Sequence, residues 1–232
     1  MSRAFEYPEM SNKVNRGTST ETKFMLVTIA ITLTVAALSS YFHAGWMSAA
    51  ALAFGMYALL GAFALRTGDK FLLKLLVFGL MAGIVELAAD CWLVESTGTL
   101  LYAGGEPMVF CSPAYMPFAW AVVLVQVGYL GFLISGHKPM WQSMLATLVI
   151  GLLFIPLFEH WANGAGWWVY QNTPMIGDTP WYIILAEGLI CMLLPLLFVY
   201  EVQKSYLRAL IFGVFHGLWI WLAYFVSYNL IG

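Results

Sequence analysis

Charge is what this sequence has least of. Aspartate, glutamate, lysine and arginine make up only 9% of its 232 residues, against about a quarter in soluble domains. The net charge is −2 and the basic residues form no tract, which argues against a nucleic-acid partner. There is no Gly-rich phosphate loop, no nucleophile elbow, and no lysine deep in an apolar run to carry retinal. The four histidines, His43, His137, His160 and His216, form no HxxxH or HxxH pair. A metal site built from His43, His160, His216 and a carboxylate has no supporting spacing, so neither metal nor cofactor is expected. The first 23 residues are polar and lack the apolar core of a signal peptide. They read as a cytoplasmic tail (1–23) ahead of a single domain (24–232).

What is abundant is apolar sequence, 62% of the chain. A span needs roughly 20 mostly apolar residues, and seven stretches qualify: Phe24–Phe42, Trp46–Leu65, Phe71–Val94, Pro113–Ser135, Met140–Ala162, Pro180–Glu201 and Tyr206–Ile231. The expected fold is all-α, a polytopic membrane helical bundle of seven transmembrane helices. Four links are short and make antiparallel neighbours. Two, 95–112 and 163–179, are longer and rich in Gly, Pro and aromatics. All ten Lys and Arg fall on the side away from these loops. Because basic residues stay cytoplasmic, the N-terminus is expected inside, and the long loops and the C-terminus outside.

The two loop regions look alike. Pro113, Tyr115, Ala119 and Trp120 stand where Pro180, Tyr182, Ala186 and Glu187 do. Upstream, Glu86, Asp90 and Tyr102 match Glu159, Asn163 and Tyr170. This predicts an internal repeat of two helical hairpins related by a pseudo-twofold along the membrane normal. Chance similarity within membrane sequence is the competing explanation.

Acids and histidines inside spans are costly and point to function by default. At about 1.5 Å per residue, Glu187 and Glu86 lie roughly 10 and 12 Å in from their outer helix ends. By the same measure His216 lies about 15 Å from the inner end of the last span. Asp90 follows Glu86 by one turn, on the same face, and Glu159 ends its own span. Glu187, Glu86, Asp90 and Glu159 are therefore the candidate catalytic residues. A carboxyl group in a dry cavity holds its proton to higher pH and can deliver it to a substrate. A hydrogen-bond network that merely fixes helix packing is the plainer reading of these acids, and an interhelical donor that of His216. Aromatics crowd the same side: Trp120, Trp167, Trp168, Tyr170, Tyr102, Tyr115 and Tyr182, with His216, are candidate substrate-binding residues. Indole faces stabilise cations, although a thick interfacial belt accounts for part of the excess. Cys91 and Cys111 flank the first loop on the outer side, where they could pair.

With "TG" at Thr97–Gly98, Tyr102, and "PFAW" at Pro117–Trp120, the chain resembles the membrane carotenoid hydratases. With "GWWVY" at Gly166–Tyr170, then Gly177, Pro180 and Glu187, it resembles the lycopene cyclase domains and integral-membrane terpene cyclases. In the lycopene cyclase domains an acidic pair closely follows the proline, whereas here the single Glu187 comes seven residues later. The resemblance implies acid-initiated cyclisation or hydration of an isoprenoid or carotenoid, without a metal or redox cofactor. Its implied partners are a hydrophobic isoprenoid or lipid ligand and the membrane lipids. A non-enzymatic membrane subunit or carotenoid/lipid-binding protein, associating with other membrane proteins, is the alternative. A proton-coupled carrier is the third reading.

Overall fold

The computed structural model describes residues 20–232. Among these, seven helices are long and apolar enough to cross a membrane. They are α1 (Thr20–Tyr41), α2 (Trp46–Thr67), α3 (Lys70–Cys91), α4 (Met116–Ser135), α5 (Met140–Ala165), α6 (Trp181–Leu197) and α7 (Tyr206–Ile231). A turn of π-helix extends α3 over Trp92–Thr97, and another extends α6 over Phe198–Val202. The protein is an integral, multi-pass, all-α membrane bundle. Thr20, the first described residue, is already part of α1, ahead of the expected start at 24. The rest of the expected tail, with Arg3, Lys13 and Arg16, lies outside the described residues.

Local chemistry sets the helix ends. The Asp69 carboxylate accepts from the backbone N–H of Phe71 and Leu72 at 2.9 and 3.0 Å, capping α3. The Ser205 hydroxyl caps α7 through the Arg208 N–H. Gly166 closes α5 at φ 72°, a left-handed turn that glycine makes without steric cost.

Glycines bring the helices that carry the acids close together. A methyl group at Gly151 on α5 would meet the Glu187 carbonyl oxygen at 2.7 Å. At Gly217 on α7 it would meet the Ala82 carbonyl oxygen at 2.7 Å. Small residues at such crossings are how membrane helices pack, since lipid supplies no hydrophobic force between them. Thus α5 grips α6 at Glu187, and α7 grips α3 one turn from Glu86.

The long loops hold three short ladders that helix-period reading does not anticipate. Strand β1 (Leu100–Tyr102) of the first loop pairs antiparallel with β4 (Trp168–Tyr170) of the second. The register is Leu100 to Tyr170, Leu101 to Val169 and Tyr102 to Trp168, which is the pairing that a twofold relating the two loops requires. Each loop also folds its own hairpin: β2 (Met108–Val109) with β3 (Ser112–Pro113), and β5 (Met175–Ile176) with β6 (Thr179–Pro180). Met108 faces Pro113 as Met175 faces Pro180. The two hairpins the sequence suggested, α3–α4 and α5–α6, are therefore joined at their loops by main-chain pairing.

Candidate functional site

A cavity of about 70 Å³ lies beneath the β1–β4 ladder. Asp90 enters it from α3, Glu159 from α5, and Glu187 and Tyr224 from α6 and α7. Trp120, Trp168, Tyr102 and Tyr170 form aromatic walls, closed by apolar residues including Met116, Ile155 and Phe158. Among the described residues, no lysine or arginine lines it.

Each acid is held differently. Asp90 Oδ2 accepts from the Ser112 hydroxyl at 2.7 Å and from the Tyr102 hydroxyl. The Cys91–Cys111 disulfide ties this hairpin to α3, which fixes Ser112 over Asp90. In the second repeat a polar clip replaces the disulfide. There Asp178 accepts from Asn163 at 2.6 Å and pairs with His160 at 2.5 Å. Glu159 Oε2 accepts from the Trp168 indole N–H at 2.5 Å. Glu187 Oε1 accepts from the Tyr224 hydroxyl at 2.6 Å, while its other oxygen has no partner. That Oε2 is buried and has no donor among the described residues.

Glu86 is fully buried behind the cavity wall, beside Asp90 and Trp120, and neither of its oxygens makes a well-formed hydrogen bond. Burial raises the Tyr102 hydroxyl well above its ordinary value, and the nearby Asp90 and Glu86 add to this. Tyr170 is raised likewise, by burial first and then by Glu159. Both phenols therefore stay protonated and are available as donors.

The structure brings together Asp90, Glu159, Glu187, Trp120, Trp168, Tyr102 and Tyr170. Four other candidates lie elsewhere. Trp167 is buried, turned toward α2, and donates to Ser48 at 2.8 Å. Tyr182 bonds Thr99 at 2.6 Å and packs edge-on against Tyr228. The Tyr115 hydroxyl sits beside Glu106 in the loop. His216 is corrected most clearly: it is fully buried, packed on Phe78 of α3, and contributes nothing to the cavity wall. Depth along the helix matched, but its face of α7 meets α3. Ser112 and Tyr224 were missed. Tyr224 lies on the inward stripe Gly213, Gly217, Ile220, Tyr224 of α7, a spacing of three to four residues that marks a buried face. That stripe was visible in the sequence.

Among the described residues, no group of three His, Cys, Asp or Glu is placed to hold a metal ion. His43 instead bonds the Gly164 carbonyl at 2.7 Å.

No curated protein and no solved structure matches the chain. One family model does, over residues 87–231, taking in both loop hairpins, α7, and every cavity acid while stopping one residue short of Glu86. Since that match covers more than half of the chain, the protein belongs to DUF6989, a domain of unknown function.

Proposed function

We propose that the protein is a membrane enzyme that protonates a neutral isoprenoid or carotenoid, starting a cyclisation or hydration. The observation that carries this reading is the convergence of three carboxyl groups and six aromatic rings on one cavity that no lysine or arginine among the described residues lines. Glu187, which lines the cavity and whose Oε2 has no donor among the described residues, is the proton donor. Its proton adds to an alkene carbon or an epoxide oxygen, and the positive charge that results faces Trp120 and Trp168, whose ring faces attract cations. Asp90, gripped by two hydroxyl donors, takes the proton lost when a ring closes and a new double bond forms. In a hydration it takes the proton from the attacking water. Asp90 then loses its proton and Glu187 regains one by exchange with water, which restores the enzyme, so cyclisation consumes no co-reactant.

Asp90 and Glu159 are both engaged by donors, as purely structural acids would be. That favours the second reading, a carotenoid- or lipid-binding subunit without turnover. Mass spectrometry of the lipids that co-purify with the protein separates the two. The enzyme reading expects an isoprenoid with a double bond or epoxide near one end, together with its cyclised or hydrated product. Recovery of bulk phospholipid alone would contradict it.

We place the N-terminus in the cytoplasm and both loops outside. Lys23, Arg66, Lys70, Lys138, Lys204 and Arg208 all lie toward the face opposite the loops, as the retention of basic residues inside requires. Phe110 and Ile176 are exposed at the hairpin tips. Phe110→Cys and Ile176→Cys are expected to react with a membrane-impermeant maleimide on intact cells. Reaction only after permeabilisation would reverse the orientation.

A further inference from the structure

The acid cavity is too small for the substrate class proposed above. About 70 Å³ holds roughly five waters at 10–15 Å³ each. It can take the reacting end of an isoprenoid but not its chain. Two more cavities share lining residues with it. One, of about 50 Å³, runs toward α1 and α2 past Thr32 and Ala49. The other, of about 120 Å³, is a groove between α1, α4 and α5. Val123 and Phe158 border all three, and Ile155 borders both the acid cavity and the groove, so three side chains stand between the groove and the acids.

The groove is apolar in effect. Its polar members, Gln126 and Thr32, bond each other at 3.0 Å, and Thr32 also donates to the Thr28 carbonyl at 3.0 Å. The rest of its lining is aliphatic or aromatic. Phe154, on its α5 wall, is 46% exposed on a helix that faces lipid along most of its length. From Val123 to Leu130 the groove follows α4 for roughly 10 Å at 1.5 Å per residue. Among the described residues, no lysine or arginine lines any of the three cavities. A diphosphate or carboxylate head would therefore lie among acids with no counter-charge, at a large desolvation cost.

We infer that the α1–α4–α5 groove is the tail site for a single linear isoprenoid chain. The chain enters sideways from the bilayer and passes its uncharged end between Val123 and Phe158 to Glu187. This rests on the acid-initiated reading of the cavity. It adds the substrate's shape, one apolar chain with an uncharged reacting end, and its route.

The test uses a diazirine-bearing farnesol, an uncharged isoprenoid, photocrosslinked to the full chain in lipid nanodiscs and mapped by mass spectrometry. Adducts on Leu130, Ile150 and Phe154 are expected to saturate and to be displaced by plain farnesol. Those on Leu218 and Leu222, exposed on α7, are expected not to saturate. Ile150→Trp or Leu130→Trp, each filling the groove, is expected to cut the saturable adducts by about tenfold, equivalent to about 1.4 kcal/mol of affinity. Two variants are used so that one folding failure does not decide the matter. Unsaturable labelling throughout, or saturable labelling that both folded variants leave unchanged, would overturn the tail site. Glu187→Gln separates the two claims. Saturable groove labelling with unimpaired Glu187→Gln turnover would leave the tail site and remove the acid mechanism. Glu187-dependent turnover without saturable labelling would do the reverse.

Discussion

Glu187→Gln is expected to abolish turnover and leave the protein folded. Glutamine keeps the size, and its amide oxygen can still accept from Tyr224, the one partner that Glu187 has. What it loses is the proton. General acids contribute about 10²–10⁴ in rate, and a fall within or beyond that range is the expected result, measured at equal amounts of monodisperse protein. Stability is expected to hold or rise, because no ionisable group then remains to be desolvated. Glu86→Gln is the contrast. Glu86 does not line the cavity but sits beside Asp90 and Trp120, which do, so its loss is expected to lower the rate far less. Wild-type turnover in Glu187→Gln would remove Glu187 from the mechanism and leave Asp90 and Glu159 as the cavity acids able to carry it.

The largest stability effect is expected at Trp168. This side chain belongs to the ladder through Tyr102, lines the cavity, and donates to Glu159. It also packs against Trp167 and Phe158, with ring centres 5.8 and 6.4 Å away. Trp168→Ala removes a buried indole and leaves the Glu159 oxygen without its donor. Truncations of buried tryptophan cost about 3–5 kcal/mol, and a loss of that size is expected in thermal unfolding. Trp168→Phe keeps most of the packing and removes only the N–H, which predicts a loss nearer 1–3 kcal/mol, roughly the cost of stranding one buried acceptor. If both variants unfold within about 0.5 kcal/mol of wild type, as surface substitutions do, Trp168 does not hold the two halves together.

How much of this was legible depended on the range of the interaction involved. The spans follow from apolar runs, and six of the seven observed helices begin within three residues of the expected start, since bilayer thickness dictates length. The repeat was legible in Pro113 and Pro180, which each sit beside the start of the next helix. The β1–β4 ladder was not. Leu100–Tyr102 is too short to carry a period, and it pairs with residues almost seventy positions away only because the two hairpins meet. His216 shows the same limit: helical rise gives depth, but which neighbour a face meets is a tertiary fact. Asp90 could be named from its spacing to Glu86, whereas its grip by Ser112 depends on a loop pinned by the Cys91–Cys111 bond.

Proton transfer from Glu187 to carbon or an epoxide oxygen is the central claim, and turnover in deuterated water tests it most directly. The purified protein is incubated with the isoprenoid fraction of its host membranes in D₂O, and the products are followed by mass spectrometry after back-exchange in ordinary water. Where an alkene is the group protonated, wild type is expected to yield a cyclised or hydrated product carrying one deuteron that does not wash out, fixed on carbon. Where an epoxide is opened, the label sits on oxygen and washes out, but the cyclised product still forms. In either case Glu187→Gln is expected to yield none of that product. Conversion that Glu187→Gln leaves undiminished, or wild-type protein that changes no isoprenoid in the fraction, would contradict the account.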